Sequence, residues 1–77
     1  MVIKDFIQHF AEQFEDTDQN VFKPETVFHD LDEYSSLIAL QIILMIDEEY
    51  GITIDAAEMS ASVTIEDLFN LVKSKEQ

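Results

Sequence analysis

One hydroxyl in this chain stands where it has a use. Ser36 follows Ser35 at the head of an apolar run, inside the stretch from Tyr34 to Gly51, YSSLIALQIILMIDEEYG. A serine becomes a nucleophile when a base lies beside it. The Gly-x-Ser-x-Gly elbow is absent, and the spacing of His9 and His29 places neither next to Ser36. His29 lies in a loop and can approach, but one histidine in reach is not a triad. Two isolated histidines and scattered acids give no metal site. A single glycine rules out a Gly-rich phosphate loop. Asp16, Asp18 and Asn20 suggest a calcium loop until the sixth and twelfth positions are read: they are Val21 and Val27, where Gly and Glu are required. Only weak, non-specific divalent binding by the acidic surface is expected. On residues alone, Ser36 is either a functional hydroxyl or, with Ser35, simply a helix cap.

The elements that hold Ser36 follow from local chemistry. Ser35 suits the N-cap, because its hydroxyl can accept from the free N–H groups of the first turn. Ser36 is then the first helical residue, near the surface. Leu37 to Ile46 is apolar at every position but Gln41. Its length and lack of internal Gly or Pro favour helix over buried strand. It is too short to span a bilayer and is closed by acids. Gly51 can take the left-handed conformation that ends a helix, letting Ile52 fold back against Ile46. A helix apolar nearly all round is expected to be covered on most sides. Asp47, Glu48 and Glu49 are unfavourable at the negative end of the helix dipole, each by a few tenths of a kcal/mol. They form either a solvated face or a surface kept for basic partners.

Charge bounds the partners. Four Lys+Arg against 17 Asp+Glu give a net charge of −13. Phosphate neutralisation needs basic residues, so nucleic acid and an anionic membrane surface are not expected partners. Proteins with basic patches are, and their association is expected to weaken with salt. The 77 residues are read as one domain, residues 1–77, of a size that buries only about 60% of the unfolded surface in a modest core. A hydrophobic fraction of 47% is too high for a disordered chain. There is no cysteine, which fits a reducing, cytoplasmic setting, and no secretory signal is read at Met1.

Taken in order, Val2 to Phe14 is the first helix, with Ile3, Phe6, Ile7, Phe10 and Phe14 on one stripe and His9 off it as a surface residue. A connection of about twenty residues, Glu15 to Ser35, is unusually long for so compact a chain. Val21, Phe22, Val27, Phe28 and Leu31 are its expected anchors, with a short helical turn near Glu25–Val27. After the central helix, Ile52 and Ile54 tuck inward, and Asp55 caps a short third helix over Ala56–Met59. Thr64 and Asp67 have capping-box spacing ahead of a last helix, which runs to about Lys75 on Ile65, Leu68, Phe69 and Val72.

This assembly resembles an acyl carrier protein. That family is marked by Asp-Ser-Leu at the start of its second helix, then an apolar helix ending in acids, an aromatic and Gly-Ile. The matching residues are Ser35-Ser36-Leu37, then Leu40, Ile43 and Ile46, then Asp47-Glu48-Glu49-Tyr50-Gly51-Ile52; Phe28-His29-Asp30-Leu31 resembles the preceding loop. The resemblance implies an all-α, small four-helix bundle with a long loop between helices one and two and a short third helix. It implies a carrier and not an enzyme. Ser36 would carry 4′-phosphopantetheine, attached from coenzyme A by a phosphopantetheinyl transferase with magnesium. Acyl groups would ride as thioesters, with Leu40, Ile43 and Ile46 lining their slot. Leu37, Ile38, Gln41, Asp47 and Glu48 would greet partner enzymes, an acyl ligase or synthase with basic patches, and the carrier would be a free-standing monomer. The motif's aspartate is Ser35 here, with Asp32 or Glu33 as a substitute source of negative field. Two positions often acidic in the family are Ile38 and Gln41. These departures point from general fatty-acid synthesis towards a dedicated pathway; fatty-acid, polyketide and secondary-metabolite pathways all use such carriers. The competing readings are an aminoacyl or peptidyl carrier, and an unmodified acidic adaptor with the same fold.

Overall fold

The computed structural model describes residues 1–76; Gln77, the last residue of the expected domain, lies outside that range. Four α-helices make up the bundle: α1 (Ile3–Ala11), α2 (Ser36–Tyr50), α3 (Ala56–Ala61) and α4 (Ile65–Ser74). Among the described residues there is no strand, only an isolated bridge between Val27 and Thr64. Among the described residues, no helix is long and apolar enough to cross a membrane. The all-α four-helix expectation holds, including the short third helix.

The stripe of α1 forms one wall of the core. Phe6, Phe10 and Phe14 are buried, while Ile3 and Ile7 are half-buried. The helix stops at Ala11, earlier than the spacing predicts, because Gln13 and Phe14 bond back three residues, to Phe10 and Ala11. That tighter turn still delivers the Phe14 ring to the core. Phe6 meets Phe69 of α4 edge-on at 5.6 Å, and Phe10 meets Phe28 of the long connection at 5.3 Å. Edge-to-face pairs add about 0.5–1.5 kcal/mol beyond the area they bury.

The long connection is tolerated because its backbone is bonded. Short 3₁₀ turns occupy Gln19–Val21 and Phe28–Asp30. The expected helical turn at Glu25–Val27 is instead a turn closed by Thr26 N on Lys23 O, with Pro24 at its corner. Ile65 N donates to Thr26 O at 3.1 Å and Glu66 N to Pro24 O at 2.9 Å. The loop therefore satisfies first-turn N–H groups that α4 cannot satisfy itself. Phe22 and Phe28 are buried anchors and Leu31 is half-buried, but Val21 and Val27 are exposed. Both valines sit on the solvent side of the segment their aromatic neighbours hold down.

Caps fix the other ends. Ser35 Oγ accepts from Ile38 N, Asp55 and Glu58 form a full capping box, and so do Thr64 and Asp67. Gly51 is left-handed at φ 66°, and its N–H returns to Asp47 O at 2.8 Å. Ile52 and Ile54 turn inward with Thr53 outward, as alternation predicts. Lys75 Nζ then ties the end of α4 to Thr53 O and to the Glu58 carboxylate.

The face of α2 is where sequence expectation fails. Only Ile38, Ile42, Met45 and Ile46 are buried. Leu37, Leu40 and Leu44 remain 63%, 51% and 55% exposed. The helix is covered by α1 and α3 on one side only, and its apolar outer side meets water.

Candidate functional site

Ser36 sits at the mouth of a cleft of about 310 Å³ between α2 and α3. From α2 come Ser36, Ala39, Leu40 and Ile43; seven residues of helix place the first and last of these about 10 Å apart on one face. From α3 come Ala56, Met59 and Ser60, and the connection adds His29 and Tyr34. The floor is apolar and the rim carries hydroxyls and an imidazole.

The Ser36 side chain is exposed, and its hydroxyl makes no hydrogen bond among the described residues; its neighbour Ser35 does the capping. The first N–H groups bonded back in α2 are those of Ile38 and Ala39, to Ser35. Those of Ser36 and Leu37 have no partner among the described residues. Free N–H groups and the positive end of a fifteen-residue helix favour an anion next to Ser36. A phosphodiester on this oxygen fits the surroundings.

Aromatic stacking builds the rim. Phe28, fully buried, stacks on His29 at 4.3 Å and meets Tyr34 at 5.4 Å; His29 and Tyr34 meet edge-on at 4.9 Å. His29 Nε2 lies 2.8 Å from Ser62 O. A carbonyl only accepts, so Nε2 donates, and in the neutral ring Nδ1 is an acceptor. Burial pushes the Tyr34 phenol above its usual range, keeping it a donor at neutral pH.

Several expected residues are placed otherwise. Leu40 and Ile43 line the cleft, but Ile46 does not: it is fully buried, four residues on from buried Ile42 and on that same inward face. Ile38 is 9% exposed and packs in the core, so it is not available to partners. Leu37, Asp47 and Glu48 are exposed and Gln41 is half-buried. Gln41 and Glu48 flank a second depression with Leu44 and His9. Glu33 is not a substitute for the missing aspartate. Its carboxylate accepts from Glu15 N at 2.8 Å, Asp16 N at 3.0 Å and Thr17 Oγ1 at 2.7 Å, tying the start of the long connection to the rim segment. Asp32 lines a separate acidic depression with Asp16 and Asp30.

Sequence reasoning missed Ala56, Met59 and Ser60, since nothing local says which residues of α3 face α2. It also missed His9. That residue is half-buried and bonded through Nδ1 to the Tyr50 hydroxyl at 2.8 Å, joining α1 to the end of α2. Burial, then the charges of Asp5 and Glu49, raise the Tyr50 phenol.

The Glu33 clamp predicts a pH dependence. The Thr17 hydroxyl bond, together with the N–H groups of Glu15 and Asp16, outweighs slight desolvation and holds its carboxyl below the usual 4.5. A depressed carboxylate contributes stability fully above its unfolded value and loses it as pH falls through the lower folded value. Glu33→Gln is therefore expected to melt lower than the native chain at neutral pH. Thermal melts should show that gap closing as pH drops below about 4.5. A gap unchanged from pH 7 to pH 3 counts against the clamp.

Comparison with known proteins agrees with this geometry. The family model described as phosphopantetheine attachment site matches residues 4–72, from α1 into α4. No curated protein sequence matches the chain.

Proposed function

The chain belongs to the family defined by a phosphopantetheine attachment site, and from that premise we propose that Ser36 is the residue that bears the arm. The observation that carries this reading is the exposed, unbonded Ser36 hydroxyl at the start of α2, opening on the cleft. The protein is a carrier, and the 4′-phosphopantetheine group supplies a terminal thiol on which acyl groups ride as thioesters. Ser36 Oγ is the acceptor oxygen: it would bond to the pantetheine-bearing phosphorus of coenzyme A as the pyrophosphate P–O bond to the nucleotide half breaks, adenosine 3′,5′-bisphosphate leaving and the serine proton passing to the transferase. The N–H groups of Ser36 and Leu37, with the helix dipole, offset the anionic charge beside it. Ala39, Leu40, Ile43 and Met59 offer apolar surface that shields a short chain from water.

Partners are proposed from the outer face of α2. Leu37, Leu40 and Leu44 form an exposed apolar stripe, and Asp47 and Glu48 close it with negative charge. A phosphopantetheinyl transferase, then a ligase or synthase with an apolar groove and a basic rim, would dock here as the monomer presents its serine. Gln41 lies beside the stripe. With Ile38 buried, discrimination among partners falls to the leucines. That fits an enzyme set dedicated to one pathway, with fatty-acid or polyketide assembly as the broader class.

The test of attachment is coexpression with a broad-specificity phosphopantetheinyl transferase followed by intact mass. A gain of one arm is expected; an unmodified protein overturns the reading. Docking has its own test. Leu44→Asp is expected to leave stability within about 0.5 kcal/mol, because the side chain is exposed. It should raise the transferase KM about tenfold or more, as loss of an apolar anchor does. Unchanged transfer kinetics would remove Leu44 from the docking face.

A further inference from the structure

The cleft is short, and its rim is polar in a way that plain hydrocarbon does not need. Along α2 it runs from Ser36 to Ile43, about 10 Å. Beyond that, Ile46 and Ile54 are sealed in the core at 0% and 1% exposure. Tyr34, Ser60 and His29 are among the residues that line the cleft. Among the described residues, the side-chain bonds of tyrosine and serine hydroxyls and of histidine rings are those of His9 with Tyr50, His29 with Ser62, Ser35 with Ile38, Ser62 with Glu58, and Ser74 with Leu71. Tyr34 Oη, Ser60 Oγ and His29 Nδ1 are therefore without protein partners, although stacking on Phe28 holds both rings in place.

We propose that this cleft selects short acyl groups bearing a hydroxyl or similar hydrogen-bonding substituent, with Tyr34, His29 and Ser60 as the specificity-determining residues. The proposal rests on the reading of Ser36 as the attachment point. A plain chain laid across the rim would cover polar groups without pairing them, and covering an unpaired donor or acceptor is costly. A hydroxyl on the chain can accept from Tyr34 and donate to His29 Nδ1, so its desolvation is offset. A site with hydrogen-bonding groups waiting for a hydroxyl discriminates strongly against the analogue that lacks one. Long saturated chains are disfavoured separately, because the groove ends at the closed core.

Hexanoyl and 3-hydroxyhexanoyl arms, transferred from the corresponding coenzyme A thioesters, provide the test. Intact mass of the native chain and of Ser36→Ala first establishes that each arm is gained and needs Ser36; absence of loading overturns the attachment reading, and this proposal with it. On loaded protein, cleavage of the thioester by hydroxylamine, which gives the hydroxamic acid and frees the arm's thiol, is expected to be several-fold slower for the 3-hydroxy cargo. The backbone amides of Ala39–Ile43 and Ala56–Ser60 should shift more with that cargo in two-dimensional NMR spectra. Tyr34→Phe keeps the ring and removes only the hydroxyl, so folding should survive while the difference between cargoes shrinks to near unity. Loaded protein with no preference, or with a preference unchanged in Tyr34→Phe, overturns the proposal alone. Equal loss of protection for both cargoes in Tyr34→Phe also overturns it, because the hydroxyl would then serve the arm.

Discussion

Ser36→Ala is expected to abolish arm attachment without changing stability, and Ser35→Ala is expected to keep attachment while lowering the melting temperature. The two serines are adjacent, but their oxygens have different tasks. Ser35 Oγ accepts from Ile38 N and caps α2. Loss of a serine cap costs about 1 kcal/mol, and in a domain of this size that lowers Tm by roughly 4–8 °C. Ser36 Oγ is exposed and makes no bond among the described residues, so its removal is expected to change stability by less than about 0.5 kcal/mol. Modification requires the Ser36 oxygen itself, so the loss should be complete in intact mass. Paired melts and mass spectra of the two variants separate the roles. A Ser36→Ala protein that still gains one arm would place the acceptor elsewhere; a Ser35→Ala protein that melts like the native chain would deny the cap.

Phe28→Ala carries the largest expected cost in stability. The ring is fully buried and meets Phe10, His29 and Tyr34 within 5.4 Å of its centroid. Truncating a buried phenylalanine costs about 3–5 kcal/mol. A chain of 77 residues is stable by only roughly 4–12 kcal/mol. The expected Tm drop is about 12 °C or more. The same ring holds both rim residues, so the cleft mouth should loosen before the bundle unfolds. Phe28→Leu, which retains most of the volume, should recover much of the melt while leaving the rim less fixed. Denaturant melts report the first effect, and hydrogen exchange at His29 to Ser36 reports the second. A cost below about 1 kcal/mol for Phe28→Ala would mean that this ring does not tie the connection to the core.

Both predictions draw on features of different legibility. Ser35 as cap, Ser36 as first helical residue and Gly51 as terminator were readable, because capping and left-handed turns are settled within a few residues. The capping boxes Asp55–Glu58 and Thr64–Asp67 and the inner stripes of α1 and α4 were readable for the same reason. So was Phe28 as an anchor, although Val21 and Val27, just as apolar, proved exposed. Nothing in the order of residues distinguishes an anchor from its neighbour when the loop has no period.

The sequence by itself determined where α2 starts and stops, where α3 and α4 begin, which oxygen heads α2, and how negative the surface is. Only the tertiary structure decided which side of α2 is covered. An apolar run with no polar face has no preferred direction, so Ile38 and Ile46 going inward and Leu37 and Leu44 going outward is settled by where α1 and α3 pack. The cleft is likewise tertiary: Ser36, Tyr34, His29 and Ser60 come from three segments and share a site only when α3 lies against α2. Glu33 shows the same limit in electrostatics. Its charge was evident, but its partners are backbone N–H groups at the far end of the long connection, and only the folded chain brings them within reach.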